Sequence, residues 1–160
     1  MDIRAASRDD LDDLVRLGRA MRAESTVRFP EIDRDAVELH LDLVAAFPDR
    51  MFMAILRADG AAAGFIGGAA GPYAFSRERH ACCELLFVLP EYRGRHAGVR
   101  LLRAFTGWAA GQGVGAVELG VSTGIAPRRT ARLLETMGFA PLGRTYRKET
   151  DACAMLQHSA

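Results

Sequence analysis

The order of strand and helix signatures along this chain predicts an α/β fold, with a mixed, mostly antiparallel central sheet flanked by helices. Three observations carry the prediction. Two apolar runs, 51–58 and 61–70, are separated by Asp59-Gly60, a two-residue hairpin signal. A third run, 82–89, is rich in β-forming residues and ends at Pro90, as a buried strand would. It leads through Arg93-Gly94-Arg95-His96-Ala97-Gly98 into Leu101, Leu102, Phe105, Trp108 and Ala109, which recur at helical spacing.

The remaining elements follow in order. Residues 3–5 form a short first strand. Ser7 then stands as an N-cap with Asp10 in the place of a capping-box acid, and Leu11, Leu14, Val15, Gly18 and Met21 make one apolar stripe to about Arg22. Residues 23–32 have no clean period and contain Pro30, so they read as a loop. A second helix is capped near Asp33, turns Val37, Leu41 and Val44 inward, and stops before Pro48. In the strand at 61–70, Gly64, Gly67 and Gly68 mark a bulge, a close backbone approach by a ligand, or small-residue packing, the last slightly favoured. Residues 71–80 read as a polar loop that reaches over the site. Beyond the helix that ends near Gly111, the pattern gives a strand at 114–121 and a helix at 130–137 with Leu133, Leu134 and Met137 inward. Gly138 follows where a helix terminates. Residues 142–147 and 152–157 are expected to close the sheet as a strand pair, which is also one route to a homodimer. No repeat or linker interrupts residues 1–160, so one domain is expected.

Composition removes several function classes. Of the 160 residues, 49% are hydrophobic and 26% charged, an ordinary globular balance. Twenty-one basic against 20 acidic side chains leave a net charge of +1, so bulk charge gives no hint of a nucleic-acid partner; the arginine-rich loop is the sole support for one, and none is expected. The N-terminal residues are polar and acidic, unlike a signal peptide, and no run is long and apolar enough to suggest a membrane span. A cytoplasmic location is the expectation. Cys82, Cys83 and Cys153 make no disulfide framework, and the scattered His40, His80, His96 and His158 support no metal site.

Chemistry concentrates at the glycine-containing loop. A loop feeding a helix N-terminus directs unpaired backbone N–H groups and the positive end of the helix dipole at whatever lies in front of it. With Arg93, Arg95 and Arg100 nearby, a phosphate is the expected ligand. Neither a P-loop nor a dinucleotide G-x-G-x-x-G spacing is present. Ser122 does sit in G-x-S-x-G letters, but only Asp151 and His158 follow it as partners, and the match reads as accidental.

Val88-Leu89-Pro90-Glu91-Tyr92-Arg93-Gly94-Arg95-His96-Ala97-Gly98 resembles the acetyl-CoA motif of the GNAT superfamily of N-acetyltransferases, with His96 in the place of the first motif glycine. The likeness extends through the strand and loop at 120–127 to the closing Met137-Gly138-Phe139. It implies a single-domain GNAT-like fold whose central strands splay apart to admit acetyl-CoA. Pantetheine would pair with backbone groups near Phe87 and Val88, and pyrophosphate would rest on Arg93, Gly94, Arg95, His96, Ala97 and Gly98.

By the same resemblance the acceptor is a small-molecule or peptide amine, and the region between the first two helices walls its site. Glu24, Arg28, Phe29 and Glu31 are the candidate contacts there. Glu84 is the candidate general base: counted in steps of two it shares a strand face with Leu86 and Val88, and burial in an apolar cleft would make its carboxylate a stronger base. Glu118 is a reserve. The general acid departs from the family pattern, because Leu134 stands where many relatives carry tyrosine and residues 124–127 lack the usual asparagine. Tyr73 and Tyr146 are the substitutes on offer. The alternative is a catalytically weak acyl-CoA-binding or partner-binding module of the same fold.

Overall fold

In the computed structural model, which describes residues 1–148, the first strand β1 (Asp2–Ala5) is followed by a single 3₁₀ turn and helix α1 (Leu11–Glu24). The expected capping chemistry is present. The Ser7 N–H donates to the Asp10 carboxylate at 3.0 Å, and the same fully buried carboxylate takes two bonds from Arg4, at 2.6 and 2.7 Å, and one from Arg57 at 3.0 Å. Helix α2 (Arg34–Ala46) is capped by Asp33, whose side chain accepts from the Asp35 N–H at 2.8 Å. The hairpin β2 (Met51–Ala58) and β3 (Ala61–Pro72) turns on Asp59-Gly60, both at positive φ. Then come β4 (Arg79–Val88), α3 (Ala97–Gly111), β5 (Ala116–Leu119) and α4 (Pro127–Thr136).

The strands lie in sequence order in one sheet, antiparallel from β1 to β4 and parallel between β4 and β5. Alternation along the strands divides the core in two. Ile55, Phe65 and Phe87 pack under α1 and α2 with Leu14, Leu17 and Leu41. Leu56, Ile66 and Val88 pack on the opposite face with Leu101, Leu102 and Phe105 of α3 and Leu134 of α4. The sheet is therefore sandwiched between the two helix pairs, and every strand residue has a fixed side.

Two features of this sheet position the site. Strands β4 and β5 pair only from His80–Ala116 to Cys83–Leu119; beyond that β5 ends while β4 continues, and the sheet splits. In the same place β4 carries a bulge against β3, because Gly67 pairs with Leu85 and Gly68 with Cys83, leaving Glu84 unpaired. A Cβ on Gly68 would lie 2.1 Å from the Cys82 carbonyl oxygen, so the close approach at the bulge requires glycine there. The bulge in the neighbouring strand, rather than small-residue packing or a ligand, explains this glycine.

Two expectations change. The strand at 114–121 contracts to β5. Residues 142–147 form no strand, with Leu142 and Tyr146 exposed, because they have no pairing partner among the described residues. The companion strand at 152–157 lies outside the described residues.

Candidate active site

A cavity of about 560 Å³ passes through the split between β4 and β5. On one side it is lined by residues 94 and 96–99 and by residues 125, 126, 129, 130 and 133, which bring the N-termini of α3 and α4 to the same space. Neither helix has an acidic residue in its first turn or a side-chain cap, so their N–H groups and dipoles are left for an anion. His96 and Ala126, the two N-cap residues, both hold left-handed backbone, at φ 59° and 42°. The loop thus keeps the geometry that a glycine would favour, although histidine stands at position 96.

The arginines are deployed differently from the expectation. Arg93 directs its guanidinium at Glu24, with Nη2–Oε2 at 2.6 Å, while its Nε donates to the Val88 carbonyl at 2.8 Å. These bonds hold the Glu24 carboxyl below its ordinary pKa, against the opposing effect of burial. Arg100 donates to the Met1 carbonyl at 2.7 Å, and Arg95 is exposed and does not line the cavity. Instead Arg129 of α4 brings its guanidinium to Gly94, which sits at φ 84°. Its side chain has no hydrogen bond or ion pair among the described residues. Sequence reading passed over Arg129; its signal was a basic pair, Arg128-Arg129, opening an amphipathic helix.

On the other side of the sheet the cavity is walled by Met21, Arg22 and residues 29–32 from the end of α1 and the loop after it. This loop is fastened across the split. Ser25 Oγ donates to the Thr123 carbonyl at 2.6 Å and the Thr26 N–H donates to the same oxygen at 3.1 Å. Arg22 donates to the Phe29 and Pro30 carbonyls and pairs with Glu31 at 2.5 Å. Of the four expected acceptor contacts, Phe29 and Glu31 line the cavity; Glu24 is engaged by Arg93; Arg28 is exposed outside the lining, and its carbonyl accepts from Arg147 at 2.7 Å.

Glu84 lies between the two halves, at the bulge. The residue lines the cavity, and its carboxylate makes no hydrogen bond or ion pair among the described residues. Counting in twos across the bulge fails: Cys83 and Leu86 pack into the same core cluster, so the bulge resets the alternation, and Glu84 is exposed rather than sunk in an apolar cleft. Phe87 and Val88 also line the cavity, from opposite faces of β4, and are almost fully buried. Burial pushes the Cys83 thiol up to about 12, which suits packing rather than reactivity.

The reserve residues stand apart. Glu118 lies 3.5 Å from His80 Nδ1 and accepts from the Tyr73 hydroxyl at 3.4 Å, and Tyr73 stacks on His80. Neither Tyr73 nor the rest of the loop at 73–78 lines the cavity, contrary to the expectation that this loop reaches over it. Tyr146 is 84% exposed. Leu134 packs in the core against α3, so no hydroxyl replaces the family's tyrosine there.

The family model described as the acetyltransferase (GNAT) family matches residues 16–139. Among solved structures, the fold is similar to ribosomal-protein-alanine N-acetyltransferase from Brucella melitensis biovar Abortus 2308, at 17% identity over 94% of this chain and 100% of that one, with a TM-score of 0.71. It is similar to the aminoglycoside N-acetyltransferase AAC(6')-Iy in complex with CoA, at 23% identity over 93% of this chain and 95% of that one, TM-score 0.73. It also resembles glucosamine-6-phosphate N-acetyltransferase from Arabidopsis thaliana, at 14% identity over 92% and 97%, TM-score 0.74. No curated protein matches the chain in sequence. With the match spanning the loop, the split sheet and the closing Gly138-Phe139, the chain belongs to the acetyltransferase (GNAT) family and is an acetyl-CoA-dependent acyltransferase.

Proposed function

We propose that this single domain transfers an acetyl group from acetyl-CoA directly to a primary amine held in the same cavity. The observation that carries this is the cavity itself, which joins two uncapped helix N-termini on one face of the sheet to an unpaired carboxylate, Glu84, at the split. The donor's phosphates fit the N–H groups at Gly94, Ala97 and Gly98 and the guanidinium of Arg129. Its pantetheine amides fit the β4 edge near Phe87 and Val88, which β5 has left unpaired. Arg93 completes this wall by fixing the Val88 carbonyl.

Bound acetyl-CoA supplies a thioester: the amine nitrogen forms the new C–N bond as the C–S bond breaks, one amine proton goes to a base, and the thiolate leaves and is protonated. Glu84 is the base. It accepts a proton directly or through water, and its exposure to the cavity keeps it able to return that proton to solvent. A thiol of pKa about 8.5 leaves tolerably without a dedicated acid, which accommodates Leu134. A second reading, a binding module without turnover, is favoured by that same leucine.

The experiment is thiol release from acetyl-CoA with and without amine, beside a thermal-shift titration with acetyl-CoA. Both readings require a melting temperature that rises with ligand. Amine-dependent release, abolished in Glu84→Gln, is expected; binding without release would establish the module instead.

A further inference from the structure

We infer that the acceptor is a primary amine carrying one ammonium group on an apolar body, and not a polycation. The inference rests on the acetyl-transfer reading above and specifies what the acceptor wall selects. That wall is made by Met21, Phe29, Pro30, Ile32, Leu85 and Phe87, all lining the cavity on the face opposite α3 and α4. Among the described residues the charges at and beside this wall are already in ion pairs. Glu31, which lines the cavity, is paired with Arg22 at 2.5 Å and stays largely exposed, and Glu24, just outside the lining, is paired with Arg93 at 2.6 Å. Arg129 belongs to the donor side, beside Gly94. The one lining carboxylate without a partner among the described residues is Glu84.

Of a ligand with several ammonium groups, one would meet Glu84 and a second only the solvent-exposed Glu31 already paired with Arg22, and any further one would lie against the apolar side chains of the described wall. That last placement carries a desolvation penalty that an exposed polycation in water does not meet. A single ammonium, by contrast, finds Glu84 at the split, where the proton must be removed, and its apolar remainder replaces water along the wall. The same chemistry could come from a free amine or from the amino terminus of a peptide whose first residue is apolar.

The test measures kcat/KM for thiol release by the intact protein with 2-phenylethylamine and hexylamine, with short peptides starting in Phe or in Ser, and with spermidine and neamine. Apolar monoamines, or the Phe-initiated peptide, are expected to exceed both polycations by about tenfold or more, the order of effect that burying one large apolar group produces. The two sources are separated by which of the first two groups is the better substrate. Phe29→Asp should cut that preference about tenfold while leaving the acetyl-CoA melting shift unchanged, and Phe29→Leu should retain it. Failure of acetyl-CoA to bind the wild type overturns the donor reading. With donor binding intact, equal or faster turnover of spermidine or neamine, or no turnover of any apolar amine, overturns this inference alone.

Discussion

At the end of the cavity proposed to hold the donor, two short segments within residues 94–99 and 125–133 supply the wall, whereas the end proposed for the acceptor is assembled from residues far apart in the chain. Glu24 meets Arg93 across 69 positions, Ser25 meets Thr123 across 98, and Arg147 meets Arg28 across 119. The donor end works mainly through backbone groups whose direction follows from the strand-loop-helix order itself. The acceptor end depends on side chains choosing partners, and α1, which carries much of it, is pinned at both ends by ion pairs. Asp10 fixes its start to Arg4 and Arg57, and Glu24 fixes its end to Arg93. Local order is enough to leave two helix N-termini uncapped at one space, but the opposite wall needs the whole fold.

The largest effect that would break this division is at Glu84, which belongs to neither end. Glu84→Gln should lower kcat by about 10²–10⁴-fold, the usual worth of a positioned base, with the acetyl-CoA melting shift unchanged. A loss of donor binding instead would place Glu84 in the donor wall.

Next comes the start of α1. Asp10→Ala leaves Arg4 and Arg57 without their shared partner, and should cost about 3 kcal/mol of unfolding free energy in a denaturant titration. The pH dependence is a second readout of the same contact. Burial by itself would raise this carboxyl's pKa, but bonds from Arg4, the Ser7 N–H and Arg57 outweigh it and hold it down to about 2, against an ordinary 3.8. Its folded pKa is depressed, so its stabilisation, roughly 2 kcal/mol, is complete above the ordinary value and is lost as the pH falls toward 2. Asp10→Asn should flatten that part of the acid-unfolding curve.

Arg129 sharpens the comparison from the donor side. Arg129→Ala should weaken acetyl-CoA binding about tenfold, as expected for one charge-assisted bond, and make it less sensitive to salt, with acceptor KM unchanged. An unchanged affinity by calorimetry would return the phosphate site to backbone groups alone.

The smallest expected effect is the link between the ends. A double-mutant cycle with Glu24→Gln and Arg93→Met should show a coupling of about 1 kcal/mol in stability, because the pair is bidentate and only partly exposed. Arg93→Met should also raise acceptor KM more than donor affinity falls. A zero coupling would mean that the two ends are held independently.

Much of this architecture was legible before any coordinates. The Asp59-Gly60 hairpin, the Ser7 and Asp33 caps and the helix that follows Gly94 to Gly98 are local matters of turn chemistry and periodicity, and each falls where the residues indicate. The splitting of β4 from β5 followed from the resemblance and not from the pattern itself. Two errors share a cause. Glu84 was placed by strict alternation, which a single bulge residue cancels, and Arg93 was read as free charge, although its partner lies a whole helix and sheet away.

The sequence by itself determined the element order from β1 to α4 and the uncapped loop ahead of α3, because periodicity, caps and backbone conformation are set by residues within a few positions of one another. Only the tertiary structure decided that Glu84 stands without a partner among the described residues at the split, that Arg129 rather than Arg95 attends the loop, and that Met21, Phe29, Ile32, Leu85 and Phe87 come together along the wall proposed for the acceptor. The physical reason is that a charged side chain acts through the partner it meets, and that partner is chosen by packing between elements distant in the chain.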